Sequence, residues 1–251
     1  MEKMIKQDTY QDYKLCSLLF DSVIADHQKN LDTLLSLVAK CPKKSVIVAP
    51  EVCLSGFDYE NYDSALDIAL LATEKLKEAS EDKIIITTML ERNGNKIFNF
   101  AKIFYNGEVV YQRAKAKLFR FGNEHKYMSE GSVEDIKIVE VGGIKIGILV
   151  CFELRFKDFW QKLEGCDIIA IPSWWGVLRS EHFRVLTQAL AIINQCYVVA
   201  SDSLNENCTK LSGIIRPHGL DERNMDRAIL EIEYNVREIE SMRRYMDVGI
   251  G

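Results

Sequence analysis

Short apolar runs and amphipathic stretches alternate along the chain, and each pattern predicts one kind of element. Apolar or β-branched runs bounded by polar residues predict strands, and apolar residues at helical spacing, such as Leu31, Leu34 and Val38, predict helices. Strands are predicted at residues 13–20, 45–49, 83–89, 98–105, 108–113, 136–141, 144–150, 167–171, 197–201 and 228–232. Helices are predicted at residues 30–40, 65–79, 156–163, 184–193 and 236–244.

The order of these elements predicts the architecture. The turn dipeptides Asn106-Gly107 and Gly142-Gly143 indicate two hairpins, whereas helices separate most of the other strands. A mixture of hairpins and βα units predicts mixed sheets with helices packed on their outer faces. No stretch rich in proline, glycine or serine divides the 251 residues, so we expect a single domain over residues 1–251.

Composition and charge exclude several classes of protein. A formal charge of −5 and a pI near 5.5 argue against nucleic-acid binding, and no apolar run approaches the ~20 residues that cross a membrane. The polar N-terminus lacks the apolar core of a signal peptide, so we expect a cytoplasmic protein. The seven cysteines form no CxxC and the four histidines form neither HxxxH nor HxH, which predicts no disulfide framework and no metal site. Without a nucleotide-binding glycine motif, no cofactor is expected.

Three side chains with useful chemistry follow predicted strands, where ligands gather in α/β folds. They are Glu51, Lys115 and Cys151. Taken singly, a solvated glutamate, a solvated lysine and a buried structural cysteine explain them about as well or better. A cysteine at a strand-to-helix turn can, however, be lifted out of a sheet beside exposed backbone N–H groups, as a nucleophile requires.

Together, the ordered glutamate, lysine and cysteine resemble the nitrilase (carbon–nitrogen hydrolase) superfamily. The motifs that carry the resemblance are Pro50-Glu51, Lys115-x-Lys117-Leu118-Phe119 and Cys151-Phe152-Glu153-Leu154-Arg155-Phe156. The likeness runs from about residue 13 to about residue 245 and includes Leu54-Ser55-Gly56-Phe57 and Ile171-Pro172-Ser173-Trp174-Trp175. It implies an α+β fold, a four-layer α-β-β-α sandwich of two mixed β-sheets, which pairs into a homodimer or a higher homo-oligomer.

The resemblance also implies a Glu-Lys-Cys amidase. Cys151 is the expected nucleophile and Glu51 the general base. Lys115 and the backbone N–H of Phe152 are expected to stabilise the oxyanion, and the nearby ammonium and a helix N-terminus to lower the pKa of the thiol. Glu124 matches a second glutamate of many family members and is expected to orient the substrate or Lys115; a solvated loop residue is the alternative.

The expected substrate is a small amide or N-carbamoyl compound, with a nitrile as an alternative, and the expected product is ammonia or an amine. Arg155 is a candidate partner for a substrate carboxylate, although an ion pair with Glu153 or Asp158 explains it equally well. Trp174 and Trp175 are candidates for the pocket wall and, equally, for core packing.

Other residues leave room for different functions. A cationic substrate would favour Asp58 or Glu60 near the expected entrance. Phe20 and Lys117 stand where many family members have glutamine and histidine, so a non-catalytic binding protein of the same fold is the alternative to an enzyme. A serine hydrolase is disfavoured because His182 has no visible aspartate partner and no GxSxG motif occurs.

Overall fold

The computed structural model describes residues 13–224 and 226–250. The signal-peptide prediction rests on the first residues of the chain, and residues 1–12 lie outside this description. The strands of the described ranges are β1 Lys14–Leu18, β2 Ser45–Val48, β3 Lys83–Asn93, β4 Lys96–Tyr105, β5 Glu108–Ala114, β6 Val139–Val141, β7 Ile144–Ile148, β8 Ile168–Pro172, β9 Tyr197–Ser201, β10 Ser212–Ile215, β11 Asp221–Asn224 and β12 Ile229–Glu233.

The α-helices of the same ranges are α1 His27–Lys40, α2 Tyr62–Ala79, α3 Glu124–Tyr127, α4 Lys157–Lys162, α5 Ser180–Asn194 and α6 Val236–Tyr245. The helices α1, α2 and α5 begin about one turn earlier than predicted, because their first turns are largely polar and carry little apolar periodicity. In this part of the chain no helix is long and apolar enough to cross a bilayer.

The strands form two six-stranded sheets of the same design. The first has the order β12-β1-β2-β3-β4-β5 and the second the order β11-β10-β9-β8-β7-β6. In each sheet a parallel centre, β1-β2-β3 or β7-β8-β9, is extended on both sides by antiparallel strands. The two mixed sheets confirm the predicted α+β class.

The alternation of side chains along the strands of the first sheet separates two apolar layers. In β2, Val46 and Val48 join the core between the sheets, whereas Ile47 joins the outer core with Leu34 of α1 and Ala72 of α2. Since both faces of the strand are covered, Val46, Ile47 and Val48 are all apolar. The helices α1 and α2 therefore form one outer layer of the molecule.

The helices α4 and α5 cover the second sheet. Gly147 of β7 permits the close approach, because a β-carbon there would lie 2.8 Å from a methyl of Leu163 and 3.0 Å from the sulfur of Cys166. Phe159 of α4 and Leu190 of α5 are buried in the same core as the strands of this sheet. The four-layer α-β-β-α sandwich that the resemblance implies is thus confirmed.

Several strands differ from the prediction. The strand expected at 136–141 begins only at Val139, since Val133–Asp135 form a 3-10 turn. Strands β3 and β4 run on to meet in a hairpin at Gly94, whose φ of 59° suits a tight turn. Strand β11 has the sequence DERN, which shows no apolar pattern, and it forms by pairing with β10 at the edge of the sheet.

The C-terminal ends of β2 and β8 lie against each other between the two sheets. The backbone N–H of Glu51, just after β2, donates to the carbonyl of Ser173, just after β8, at 3.2 Å. Polar side chains that follow parallel strands of both sheets are therefore brought to one edge of the sandwich, the position at which α/β folds bind ligands.

Candidate active site

Glu51, Lys115 and Glu124 form a buried network at this edge. The ammonium Nζ of Lys115 lies 2.7 Å from Oε1 of Glu51 and 3.0 Å from both carboxylate oxygens of Glu124. Burial disfavours the ammonium, but the two carboxylates outweigh it and raise the pKa of Lys115. Two carboxylates share one cation, so the network carries excess negative charge out of water.

Each member of the network comes from a different part of the fold. Glu51 lies in a sharp turn after β2, in which Val52 has the left-handed φ of 41°. Lys115 follows β5, and its backbone N–H donates to the carbonyl of Asn99 on β4 at 2.8 Å. Glu124 is the first residue of α3 and is buried. The network therefore depends on the assembled sheet and its loops.

Glu51 is held through one carboxylate oxygen. Oε1 accepts from Nζ of Lys115 and, at 2.8 Å, from Nδ2 of Asn99. Among the described residues, Oε2 has no hydrogen-bond partner. Burial raises the pKa of Glu51 to about 7, and the charge of Lys115 limits that rise. The carboxylate can therefore take up and release a proton near neutral pH.

Cys151 begins a 3-10 turn that follows β7 of the second sheet. Its φ of 45° is left-handed, which costs about 1–3 kcal/mol for a residue with a side chain and forms a sharp elbow. The expectation of a lowered thiol pKa is wrong. Burial and then the charge of Glu51 raise the pKa of Cys151 well above its ordinary value, and Lys115 offsets only part of that rise. The sulfur therefore stays protonated until a base removes its proton.

Glu153 joins the cysteine turn to the lysine segment, a role that the sequence analysis missed. Its Oε2 accepts from the N–H of Val150 at 2.7 Å, and its Oε1 accepts from the N–H of Ala116 at 2.6 Å. Arg113 donates to both oxygens, at 2.9 and 2.5 Å. Since Arg113 and Glu153 are almost fully buried, this bidentate pair fixes the spacing between the two segments. The glutamate of the Cys-Phe-Glu motif is the sequence signal for it.

A small pocket opens beside Cys151. Its lining is largely aromatic and consists of Phe119, Cys151, Phe152, Arg155, Trp174, Trp175, Gly176 and Arg179. Trp174 lies edge-on to Phe57, with ring centroids 5.8 Å apart. Trp175 lines the pocket and also packs against Phe183. It therefore belongs both to the pocket wall and to the core, the two alternatives considered for it. Phe119 ends the lysine motif of the sequence, whereas no motif includes Arg179.

Arg155 has no carboxylate partner within the described part of the chain. Its guanidinium lies 4.8 Å from the ring centroid of Trp175, and its Nη2 lies 3.1 Å from Nδ1 of His182. Glu153 binds Arg113 instead. The structural ion pairs considered for Arg155, with Glu153 or with Asp158, are therefore wrong, and the guanidinium is available to a ligand.

The acidic residues considered for a cationic substrate do not line the pocket. Asp58 turns inward, where one of its carboxylate oxygens lies 3.5 Å from Nε2 of His27 and accepts from Asn61 at 2.9 Å. The expectation for Asp58 is therefore wrong. Glu60 is exposed and is not among the pocket residues.

The other cysteines lie away from the pocket lining. Cys16, Cys41, Cys53, Cys166, Cys196 and Cys208 are buried and free. They fill space in the cores, as free cysteine usually does. Among residues 13–224 and 226–250, no group of three or more histidine, cysteine, aspartate or glutamate side chains is arranged to hold a metal ion.

Comparison with known proteins identifies the family. The family model described as carbon-nitrogen hydrolase matches residues 15–220. The chain is 27% identical over 250 residues to the 2-oxoglutaramate amidase of Bacillus subtilis (strain 168), covering 94% of this chain and 96% of that protein. It is 32% identical over 184 residues to the omega-amidase YafV of Escherichia coli (strain K12), covering 70% of each.

A solved structure of the same fold comes from an amidase of Nesterenkonia sp. AN1 that carries the acetamide moiety of fluoroacetamide on its active-site cysteine. It matches with a TM-score of 0.80 and 16% identity, covering 94% of this chain and 95% of that one. The chain belongs to the carbon–nitrogen hydrolase family, which confirms the resemblance found in the sequence. It is an enzyme that acts on carbon–nitrogen bonds other than peptide bonds.

Loss of the charge on Glu153 tests the link between the cysteine turn and the lysine segment. Glu153→Gln leaves the buried guanidinium of Arg113 without a counter-charge, so we expect the free energy of unfolding to fall by about 3–5 kcal/mol. Urea unfolding followed by circular dichroism measures the change. The matched control, Glu134→Gln, removes one partner of the exposed pair with Lys162 and should leave the midpoint unchanged. Equal midpoints for both variants would contradict this role of Glu153.

Proposed function

We propose that the protein is a thiol amidase that hydrolyses a small amide through a thioester on Cys151. One observation carries the proposal: the thiol of Cys151 lines a small pocket and neighbours a buried carboxylate, Glu51, whose pKa burial raises to about 7. A general base works best when its pKa lies near the operating pH. The pair can therefore generate a thiolate at the moment when an electrophile is bound.

Acylation uses the whole charged network. Glu51 takes the thiol proton while the sulfur of Cys151 attacks the carbonyl carbon of the amide. The new carbon–sulfur bond turns the carbonyl oxygen into an oxyanion, which the ammonium of Lys115 and the backbone N–H of Phe152 stabilise. Glu51 then gives the proton to the amide nitrogen as the carbon–nitrogen bond breaks. Ammonia or an amine leaves, and a thioester remains.

Deacylation uses the same groups a second time. Glu51 takes a proton from a water molecule, whose oxygen attacks the thioester carbon. The carbon–sulfur bond breaks, and the proton on Glu51 returns to the sulfur of Cys151. The sum is an amide and water converted to a carboxylic acid and ammonia. Glu124 acts as a positioning residue, because both of its carboxylate oxygens hold the ammonium of Lys115 at 3.0 Å.

The pocket suits a short amide with a carboxylate. Arg155 presents free guanidinium donors to a carboxylate, and Trp174 and Trp175 suit a short apolar chain. The two relatives named above are amidases of 2-oxoglutaramate and of omega-amides. We therefore propose a small amide as substrate in preference to an N-carbamoyl compound or a nitrile.

We further propose a cytoplasmic homodimer of single-domain subunits. All seven cysteines are free, which suits a reducing compartment. On α5, Val185, Ile192 and Ile193 are 46%, 46% and 53% exposed, and Leu220 nearby is 52% exposed. An apolar patch of this kind suits contact with a second copy of the chain.

Replacement of the nucleophile tests the thioester mechanism. We expect Cys151→Ala to reduce ammonia release from 2-oxoglutaramate to the uncatalysed background, because no other group can form the thioester. Cys196→Ala, at a buried cysteine of the core, is the matched control and should retain most of the activity. Full activity of Cys151→Ala, with its fold verified by circular dichroism, would sink the proposal.

The pH dependence of catalysis tests the role of Glu51. This carboxyl must be ionised to accept the thiol proton, and its raised pKa of about 7 means that the ionised fraction is lost as the pH falls through 7. We expect kcat/KM to fall about tenfold per pH unit below about pH 7 and to level off above it. A profile that stays flat from about pH 8 down to about pH 5 would contradict the assignment.

A charge in the apolar patch tests the proposed dimer. In Ile192→Asp a carboxylate would be buried at the interface without a partner, so we expect the dimer to dissociate into monomers. Sedimentation velocity of both proteins at equal concentration measures this. The control is Leu70→Asp, at an exposed leucine of α2 on the opposite outer layer, which should leave the dimer intact. A wild-type protein that sediments as a monomer would exclude this assembly.

A further inference from the structure

Two arginine side chains line the same pocket as Cys151, and neither is paired with a carboxylate in the described ranges. They are Arg155 and Arg179. The buried arginine near the same pocket, Arg113, is by contrast paired with Glu153. Two guanidinium groups without a carboxylate partner among the described residues therefore face the pocket that Cys151 lines.

Arg179 is held in the pocket wall by packing. Its guanidinium lies 5.1 Å from the ring centroid of Phe119, a cation–π contact. It also lies against Gly176, where a β-carbon would come within 2.7 Å of Nη2 of Arg179. Gly176 has an ordinary extended backbone with φ −66°. A β-carbon at this position would therefore push the guanidinium of Arg179 aside.

Arg155 is oriented in a parallel way. Its guanidinium lies on the ring of Trp175, and one of its nitrogens donates to Nδ1 of His182 at 3.1 Å. Because a guanidinium can only donate, Nδ1 of the imidazole is the acceptor in this contact. Arg155 thus keeps its full charge, and its remaining N–H groups stay unpaired within the described part of the chain.

The two cations are close enough to repel each other. The charge of Arg179 is one cause of the lowered pKa of Arg155, after partial burial. Like charges held together on aromatic surfaces raise the energy of the empty pocket, and a bound anion relieves that repulsion. The anion that two planar guanidinium forks match best is a carboxylate or a phosphate.

We infer that Arg179 is a second anion-binding residue and that, with Arg155, it selects amides that carry a carboxylate at the end away from the scissile bond. The inference rests on the proposed amidase function for its reaction, but the anion site itself rests only on the pocket. Arg179 is thus a specificity residue that no motif of the sequence indicates.

A matched pair of substrates isolates the carboxylate. Succinamate and butyramide have the same length, and only succinamate ends in a carboxylate. We expect Arg179→Gln to lower kcat/KM for succinamate by about 10–100-fold, mainly through KM, because a charge-assisted hydrogen bond is lost. For butyramide the change should stay within about twofold. A similar loss on both substrates would overturn the inference.

Two further variants separate charge from position. In Gly176→Ala the new methyl displaces the guanidinium of Arg179, so we expect a larger loss of kcat/KM for succinamate than for butyramide. Arg120→Gln removes an exposed arginine outside the pocket lining and should change neither. An equal effect of Arg120→Gln and Arg179→Gln would attribute the result to overall charge and would also overturn the inference.

Binding without turnover makes the test independent of the proposed reaction. Succinamate is titrated by calorimetry into Cys151→Ala and into the same protein with Arg179→Gln added. We expect the second substitution to weaken binding by about 10–100-fold. Equal affinities would overturn the inference whether or not the protein is an amidase. If binding depends on Arg179 but the wild-type protein hydrolyses no amide, the anion site stands and the proposed function fails.

Discussion

The ammonium of Lys115, buried between Glu51 and Glu124, is the interaction on which the rest of the site depends. Taking an ion out of water costs several kcal/mol unless opposite charge compensates it, and here the carboxylates lie 2.7 and 3.0 Å from Nζ. One cation shared by two carboxylates leaves excess negative charge. For that reason burial can lift the pKa of Glu51 to about 7, and the same field, together with burial, keeps the thiol of Cys151 protonated.

In the resting site the thiol is protonated and lies beside a base whose pKa is near neutral pH. No thiolate is therefore present before a substrate binds. Nucleophilicity then arises only when an electrophile is bound, and a buried thiol is less exposed to oxidation in the meantime. The bidentate pair of Arg113 and Glu153 holds the strained elbow at Cys151 in place, because Glu153 also accepts the N–H of Val150. Charge and backbone geometry in this site therefore support each other.

Much of the fold could be predicted because buried strands and helices have characteristic apolar patterns in the sequence. Strand β2 is apolar on both faces, and β9 lies where its apolar run predicts it. Strand β11 has no such apolar pattern, since it is formed by its backbone pairing with β10. The motifs pointed to Glu51, Lys115 and Cys151 because each follows a strand and the three occur in the order of the family's reacting groups.

The sequence by itself determined the fold class, the family and the order of the candidate reacting groups, because periodicity and motif spacing are properties of neighbouring residues. Only the tertiary structure decided the protonation of Cys151 and the inward turn of Asp58. It also decided the partner of Glu153 and the presence of Arg179 in the pocket. Each of these depends on side chains brought together from distant segments, and on how far water is excluded where they meet, so no local pattern can encode them.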